Sequence, residues 1–390
     1  MILKKERLGW SFAGKYYRLR KPWLIIALYF IDLVGSLLFI LKNRTTPKKI
    51  ISILVIQLDH IGDMILCTPL IENIRRTYPE AKLSLLIRKL ADPIAQAIPG
   101  VDEILYLHTP WLSREKSVGW AGILSFCFQR FRKYDCSFEV HGEPRNILIS
   151  FLLSKFRVGL GLRGFGFLLN KNVKWEKKYS THIIGIQARL LNAVAGKNIT
   201  PSKPSITIPV QAKSSIDAVL SARNLLPQSF LLFQMSSGVK NKEWPLSYWK
   251  QLSLLLINND HTLVCADMDK AKTDELKSDE NIASNIEFLS LSLMEYSALV
   301  QQARGILSVD TFANHLASCF ATPALALYSG VTFKEEWGPY FEKKIILQDT
   351  SCSLFPCALK ICPFGFPSPC MKAITVQSVV DNLSALLRIF

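Results

Sequence analysis

The chain has 390 residues, 49% of them apolar, and a formal charge of +16. That length exceeds one ordinary hydrophobic core and predicts two domains, while the apolar content excludes a disordered chain. The charge is lopsided: before Ile50, eleven Lys or Arg stand against only Glu6 and Asp32. No recognisable nucleic-acid module accompanies this excess, so nucleic acid is not the expected partner. Basic residues flanking an apolar run suit an anionic membrane surface, with a generic solvated basic face as the alternative.

The apolar run is residues 23–41, WLIIALYFIDLVGSLLFIL, with Asp32 in its middle. It approaches the roughly 20 residues a helix needs to cross a bilayer core. Inserting Asp32 costs about 2.5 to 3.5 kcal/mol, less than the gain from the many Leu, Ile, Phe and Val at about 0.3 to 0.6 kcal/mol each. A crossing from a cytoplasmic body would nevertheless export a tail carrying seven Lys or Arg, against the positive-inside tendency. The expectation is therefore a segment lying in the interface or dipping in and returning, held by its basic flanks. A helix buried against the rest of the protein is the competing expectation. A cleaved signal peptide is not expected, because the basic leader is long and no small-residue cleavage site follows the run.

From residue 50 the chain alternates strand and helix patterns. Strands are expected at 53–58, 83–87, 103–107 and 136–140, and helices at 70–77, 91–98 and 120–132, which predicts a parallel sheet covered on both faces. In the stretch 53–69, ILVIQLDHIGDMILCTP, a short β-branched run reads as a buried strand. Asp59, Gly62 and Asp63 are expected in the following turn, with Thr68 as N-cap and Pro69 in the first turn of a helix, so that Asp63 lies just outside it. A carboxylate there, with Gly62 letting backbone approach a ligand, stands where open α/β sheets bind substrates; capping a turn explains Asp63 equally well.

After a polar, Pro-bearing connection at 197–209, a second set of strands is expected at 230–234, 262–266, 286–289, 305–309 and 324–328. Helices are expected at 247–257 and after the capping-box pair Ser292 and Glu295. Two doubly wound domains with a ligand cleft between them follow. Residues 234–245, QMSSGVKNKEWP, leave a strand in small residues, among them Ser236 and Ser237, that let backbone N–H groups reach an anion. Lys240 and Lys242 then add point charges for phosphate; a plain solvated loop has the same composition. Asp310 and Thr311 are placed at a helix N-terminus, which favours phosphate, and His315 is either functional or packed in the core. Near the end, Cys352, Cys357, Cys362 and Cys370 are spaced more loosely than common zinc modules. Unligated packing is expected there, with a structural zinc as the alternative, while Cys67, Cys127, Cys136, Cys265 and Cys319 sit in apolar core contexts.

Together these stretches resemble glycosyltransferase family 9, the heptosyltransferases of lipopolysaccharide core synthesis. The family's strand, D-x-x-G-D, T-P and Y-P are matched by Asp59, Gly62, Asp63, Thr68, Pro69, Tyr78 and Pro79. Its K-x-W-P is matched by Lys242, Trp244 and Pro245. Its D-[ST]-x-x-x-H-L-A, T-P and W-G-P are matched by Asp310, Thr311, His315, Leu316, Ala317, Thr322, Pro323, Trp337, Gly338 and Pro339. Order and spacing agree along about residues 50–375 and leave the first 49 uncovered.

The resemblance implies a GT-B fold of two Rossmann-like domains facing a central cleft: a membrane-associating segment at 1–49, an acceptor domain at 50–200, a donor domain at 201–375 and a terminal helix at 376–390. It implies an inverting transferase with Asp63 as general base. Lys242, Asp310 and Thr311, with Ser236, Ser237 and His315, belong to the donor's phosphates and nucleotide. Asp59, Gly62, His141 and Arg145 belong to the acceptor side, with His141, Gly142 and Arg145 in place of the family's Gln-Gly-x-x-Arg and a plain surface arginine as the alternative for Arg145. No metal or other cofactor is implied, only a nucleotide sugar as co-substrate. The function that follows is transfer of a heptose from ADP-heptose, or of another hexose-like sugar, to lipopolysaccharide core or a related lipid-linked glycan at the cytoplasmic face of the inner membrane. Cysteine-rich tails occur in the family too. Departures are Phe312 in place of a small residue, Gln234, Met235 and Ser236 in place of His-Pro-Gly, Ser329 and Gly330 in place of Gly-Pro, and only Asp267 and Asp269 as acids for the nucleoside. These departures motivate the alternative of a catalytically silent nucleotide-sugar-binding or scaffold protein at the membrane.

Overall fold

The computed structural model describes residues 3–6, 9–12, 15–17, 21–40, 45–111, 119–174 and 181–389. Of the basic and apolar residues expected to meet a membrane, Arg7, Arg18, Arg20, Leu41, Lys42 and Arg44 lie outside the described residues. The chain divides into two compact units, residues 1–202 and 203–390.

The first unit opens with an antiparallel meander that hydropathy did not announce: β1 (Leu3–Glu6), β2 (Gly9–Phe12) and β3 (Lys15–Tyr17). Its main sheet is β4 (Ser52–Gln57), β5 (Lys82–Ile87), β6 (Glu103–Tyr106), β7 (Tyr134–Glu139), β8 (Ser154–Gly159) and β9 (Lys171–Asn172). All pairs are parallel, in the order β6-β5-β4-β7-β8-β9. Ile53, Leu54, Val55 and Ile56 of β4 are fully buried, as a strand covered by helices on both faces must be. The order reverses between β4 and β7, and each of these strands ends in a polar residue, Gln57 and Glu139. An open parallel sheet leaves a crevice at such a reversal.

The helix after β4 runs Ile61–Thr77, starting eight residues earlier than the Thr68–Pro69 signal suggested. Asp63 is therefore inside its first turn, not outside it, and Gly62 belongs to the helix as well. Pro69 lies in the interior, where it has no N–H for the Ile65 carbonyl. The buried Thr68 hydroxyl donates to that carbonyl at 2.8 Å instead. The pair thus repairs a helix where it had been expected to start one.

Helix Pro22–Leu38 settles the role of Asp32. Asp32 is 1% exposed and accepts the Phe165 backbone N–H at 2.7 Å, while Gly35 lies so close to the Phe167 ring that a Cβ would come within 2.6 Å of it. Ile25 and Leu28 are buried on the same side. The charge points into the protein, leaving Trp23, Phe30, Val34, Leu37 and Leu38 exposed on the outside. One side of the segment is docked, as the buried-helix expectation had it, and the other is a bare apolar surface. Among the described residues no helix is long and apolar enough to cross a membrane.

The second unit repeats the topology. Its strands β10 (Phe230–Gln234), β11 (Thr262–Cys265), β12 (Ile286–Phe288), β13 (Gly305–Val309), β14 (Ala324–Tyr328) and β15 (Lys344–Gln348) pair in parallel in the order β12-β11-β10-β13-β14-β15. Its reversal falls between β10 and β13. The core centres on Phe233, Trp244 and Trp249, closed by Val379, Leu383 and Leu386 of the terminal helix Val376–Ile389. Trp244 Nε1 donates to the Ile374 carbonyl at 2.8 Å, tying the strand-10 loop to the segment before that helix.

Candidate active site

In the first unit the residues singled out from sequence gather at the reversal point. His60 and Asp63 form a capping box: the His60 N–H donates to Asp63 Oδ2 at 3.1 Å, and His60 Nδ1 is 3.4 Å from the same oxygen. The capping reading of Asp63 is thus correct as geometry, and it leaves room for more, because the side chain stays 18% exposed. Burial pushes its carboxyl up, but the His60 hydrogen bond and the nearby His141 and His60 rings outweigh that and hold it at about 2. Asp63 is an anion at neutral pH.

Gln57, which sequence reasoning passed over, is the hub. Its Nε2 donates to the Asp63 carbonyl at 2.9 Å and lies 2.8 Å from His141 Nε2, while its Oε1 accepts the Asp59 N–H at 3.2 Å. Asp59 Oδ2 in turn is 3.5 Å from His141 Nε2. The strand β7 side is organised by another residue that was missed, Glu139. Its buried carboxylate accepts the N–H groups of Gly142 at 2.7 Å, His141 at 3.2 Å and Glu143 at 3.4 Å. Gly142 has φ +71°, and a Cβ there would collide with the Leu160 carbonyl, so only glycine fits this turn. Arg145, four residues past His141, pairs with Glu143 Oε1 at 2.5 Å and lies over the Trp111 ring at 4.8 Å. The signal for both missed residues was available: each is the single polar residue closing a buried strand.

In the second unit Lys242, Asp310, Ser236 and Ser237 come together at the other reversal. Lys242 Nζ is 2.7 Å from Asp310 Oδ2, with Lys242 19% and Asp310 6% exposed. The Ser237 hydroxyl donates to the Asp310 carbonyl at 3.3 Å. Thr311 is the N-cap of helix Phe312–Phe320 and makes no side-chain cap hydrogen bond, leaving a helix start that suits an anion. The Phe312 ring leans on Tyr296 at 5.5 Å, which accounts for a bulky residue at a position where a small one is usual. His315 is buried one turn into the helix.

Asp267, at the end of β11, does not reach outward as an acid for a nucleoside would. Its carboxylate accepts the N–H groups of Met235 at 2.7 Å, Ser236 at 2.7 Å and Asp269 at 2.8 Å, besides the Ser236 hydroxyl. It fixes the small-residue loop. Asp269 caps helix Lys270–Lys277.

Cys352, Cys357, Cys362 and Cys370 line one small pocket with Asn241 and Gly330. None of the four is in a disulfide, and among the described residues no group of three or more His, Cys, Asp or Glu is placed to hold a metal ion. The five core cysteines are all buried, as expected.

Residues 130–365, more than half of the chain, match glycosyltransferase family 9 (heptosyltransferase). The chain is 21% identical over 291 residues to the lipopolysaccharide core heptosyltransferase OpsX of Haemophilus influenzae, covering 71% of this chain and 79% of that one. The fold is similar to that of a glycosyl transferase family 9 protein from Veillonella parvula, with TM-score 0.70, 18% identity and coverage of 87% and 97%. It is similar also to the E. coli ADP-heptose lps heptosyltransferase II, with TM-score 0.67, 18% identity and coverage of 86% and 98%. On the extent of the family match, this chain belongs to glycosyltransferase family 9 and is a glycosyltransferase.

Proposed function

We propose that the chain transfers a heptose from ADP-heptose to the core of lipopolysaccharide, or to a related lipid-linked glycan, on the cytoplasmic face of an inner membrane. The observation that carries the reading is the pair of polar reversal points, one with an ionised carboxylate and one with a half-buried lysine on a buried aspartate beside an uncapped helix start. An acceptor hydroxyl attacks the anomeric carbon as Asp63 removes its proton; the bond from that carbon to the diphosphate oxygen breaks, with inversion. The departing diphosphate is stabilised by Lys242 and the helix start at Thr311, a charge-stabilising role that such donors fulfil without a metal. Ser236, Ser237 and His315 belong to the same donor side, and Asp59, His141 and Arg145 hold the acceptor.

A carboxylate held at about 2 is a weak base for a hydroxyl. His60, the leading cause of that depression, is 70% exposed and so within reach of an arriving acceptor. An acceptor that displaces it raises the basicity of Asp63 at the moment it is needed. The names of the relatives support heptose and lipopolysaccharide, and the outward apolar face of helix Pro22–Leu38 with its basic leader supports a membrane surface. The test is transfer from ADP-heptose to a lipid-linked acceptor by purified protein, read by mass spectrometry. Asp63→Asn is expected to lower turnover about 10²- to 10⁴-fold with ADP binding intact; wild-type turnover in that variant removes Asp63 from the reaction.

A further inference from the structure

The outer layer of the first unit is apolar well beyond the amino-terminal helix. Helix Trp120–Gln129 buries only Ile123 and Cys127. Along the edge of that buried side Trp120, Leu124 and Phe128 are 53%, 45% and 66% exposed, and Phe131, just past the helix end, is 53% exposed. The spacing of the three helical residues puts them on one stripe. A contiguous row of large apolar side chains in water marks a surface that meets a partner. The neighbouring helix, Pro144–Leu153, has a single exposed residue, and it too is apolar: Leu148. That helix packs against helix Trp120–Gln129 on one side and the turn Gly166–Leu168 on the other, and helix Pro22–Leu38 rests on that turn. Leu148 thus stands on a helix that touches both the stripe's helix and the turn beneath helix Pro22–Leu38.

Charge says what covers this face. Arg130, Arg132 and Lys133 surround Phe131, and Lys21 begins helix Pro22–Leu38 after a basic leader. Large aromatic and aliphatic side chains rimmed by Lys and Arg match the headgroup layer of an anionic bilayer better than a second copy of so basic a chain, which would bring like charges together. The stripe also has a direction. The Trp120 ring stacks on Trp111 at 5.3 Å, and Trp111 carries the Arg145 guanidinium at 4.8 Å, beside the turn organised by Glu139.

We infer that the first unit docks on an anionic lipid bilayer through a composite face, in which Trp120, Leu124, Phe128 and Phe131 make a second contact beside helix Pro22–Leu38. The Trp120–Trp111–Arg145 stack then leads from the lipid to the His141 turn, so a lipid-anchored acceptor reaches that turn without leaving the surface. This inference rests on the membrane reading above, and its test separates the two.

Flotation of the full chain with phosphatidylglycerol–phosphatidylethanolamine vesicles compares wild type, L124S/F128S and V34S/L37S, with Phe131→Ser as a second probe of the stripe outside the helix. Expected is a loss of about fivefold or more in the vesicle-bound fraction for L124S/F128S and a smaller loss for Phe131→Ser. Thermal melting and transfer to a soluble, delipidated acceptor should be unchanged. Wild-type binding by both stripe variants, with binding lost only in V34S/L37S, overturns the composite face and leaves the helix Pro22–Leu38 reading standing. Wild-type binding by all of them removes both. A change of oligomeric mass by light scattering in L124S/F128S, with vesicle binding intact, identifies the stripe as a contact between protein chains and overturns the inference.

Discussion

Asp63 serves as both cap and anion, and two substitutions at this residue separate those roles. Asp63→Asn keeps an oxygen for the His60 N–H but loses the charge that the folded protein stabilises, so it should lose some stability at neutral pH while transfer falls. Asp63→Ala loses the cap as well, at about 0.5 to 2 kcal/mol; urea denaturation of the two variants beside their turnover checks the separation. Glu139 titrates in the opposite sense. Burial lifts its carboxyl to about 7, against the pull of His141 and of three backbone N–H donors, whereas in the unfolded chain it titrates near about 4.3. Between those values the folded chain retains a proton that the unfolded chain has released, so this residue makes stability fall as pH rises from about 4.3 through 7. Glu139→Gln has no such slope, and the stability advantage of wild type over Glu139→Gln should shrink between about pH 5 and pH 8. A constant gap in urea titrations at the two pH values would show that Glu139 is already charged throughout.

Among the elements, helix Ile61–Thr77 carries the clearest lesson. Thr-Pro has the composition of a helix start, yet the Thr68 hydroxyl serves the carbonyl that Pro69 leaves vacant. Thr68→Val should therefore cost about 1 to 2 kcal/mol by stranding a buried acceptor. In a Pro69→Ala background, whose N–H can take that acceptor back, the same change should cost less. Equal costs in the two backgrounds, measured by chemical denaturation, would break the link between the two residues. Helix Leu293–Gln302 went the other way: Ser292 and Glu295 signalled a capping box and form one, because both bonds close within four residues and need nothing from the rest of the chain. For helix Pro22–Leu38, the central charge gave an insertion cost but no direction. Only the backbone N–H of Phe165, far along the chain, shows which way Asp32 turns.

At the scale of the molecule, each unit has its own core and reverses its strand order beside its first strand. The basic excess and the apolar outer layer together predict how the whole chain responds to salt. Raising ionic strength from 0.1 to 1 M shortens the Debye length from about 10 to about 3 Å, so binding to anionic vesicles should weaken yet persist, since apolar burial is not screened. Complete release at 1 M salt in a co-sedimentation series would assign the binding to charge alone. Alternating buried strands and helices, the two-sheet architecture and the family were legible in the sequence, because periodicity and short motifs are local properties of the chain. The strands β8, β9 and β15 were not foreseen, being short or partly polar. Gln57, Glu139 and Asp267 went unseen or misread because what they do depends on loops that follow other strands. Whether Asp63 stood in a turn or a helix, which way Asp32 faced and where Phe312 put its ring were likewise decided by partners brought close by packing, and the chain alone gives no distance between residues that far apart.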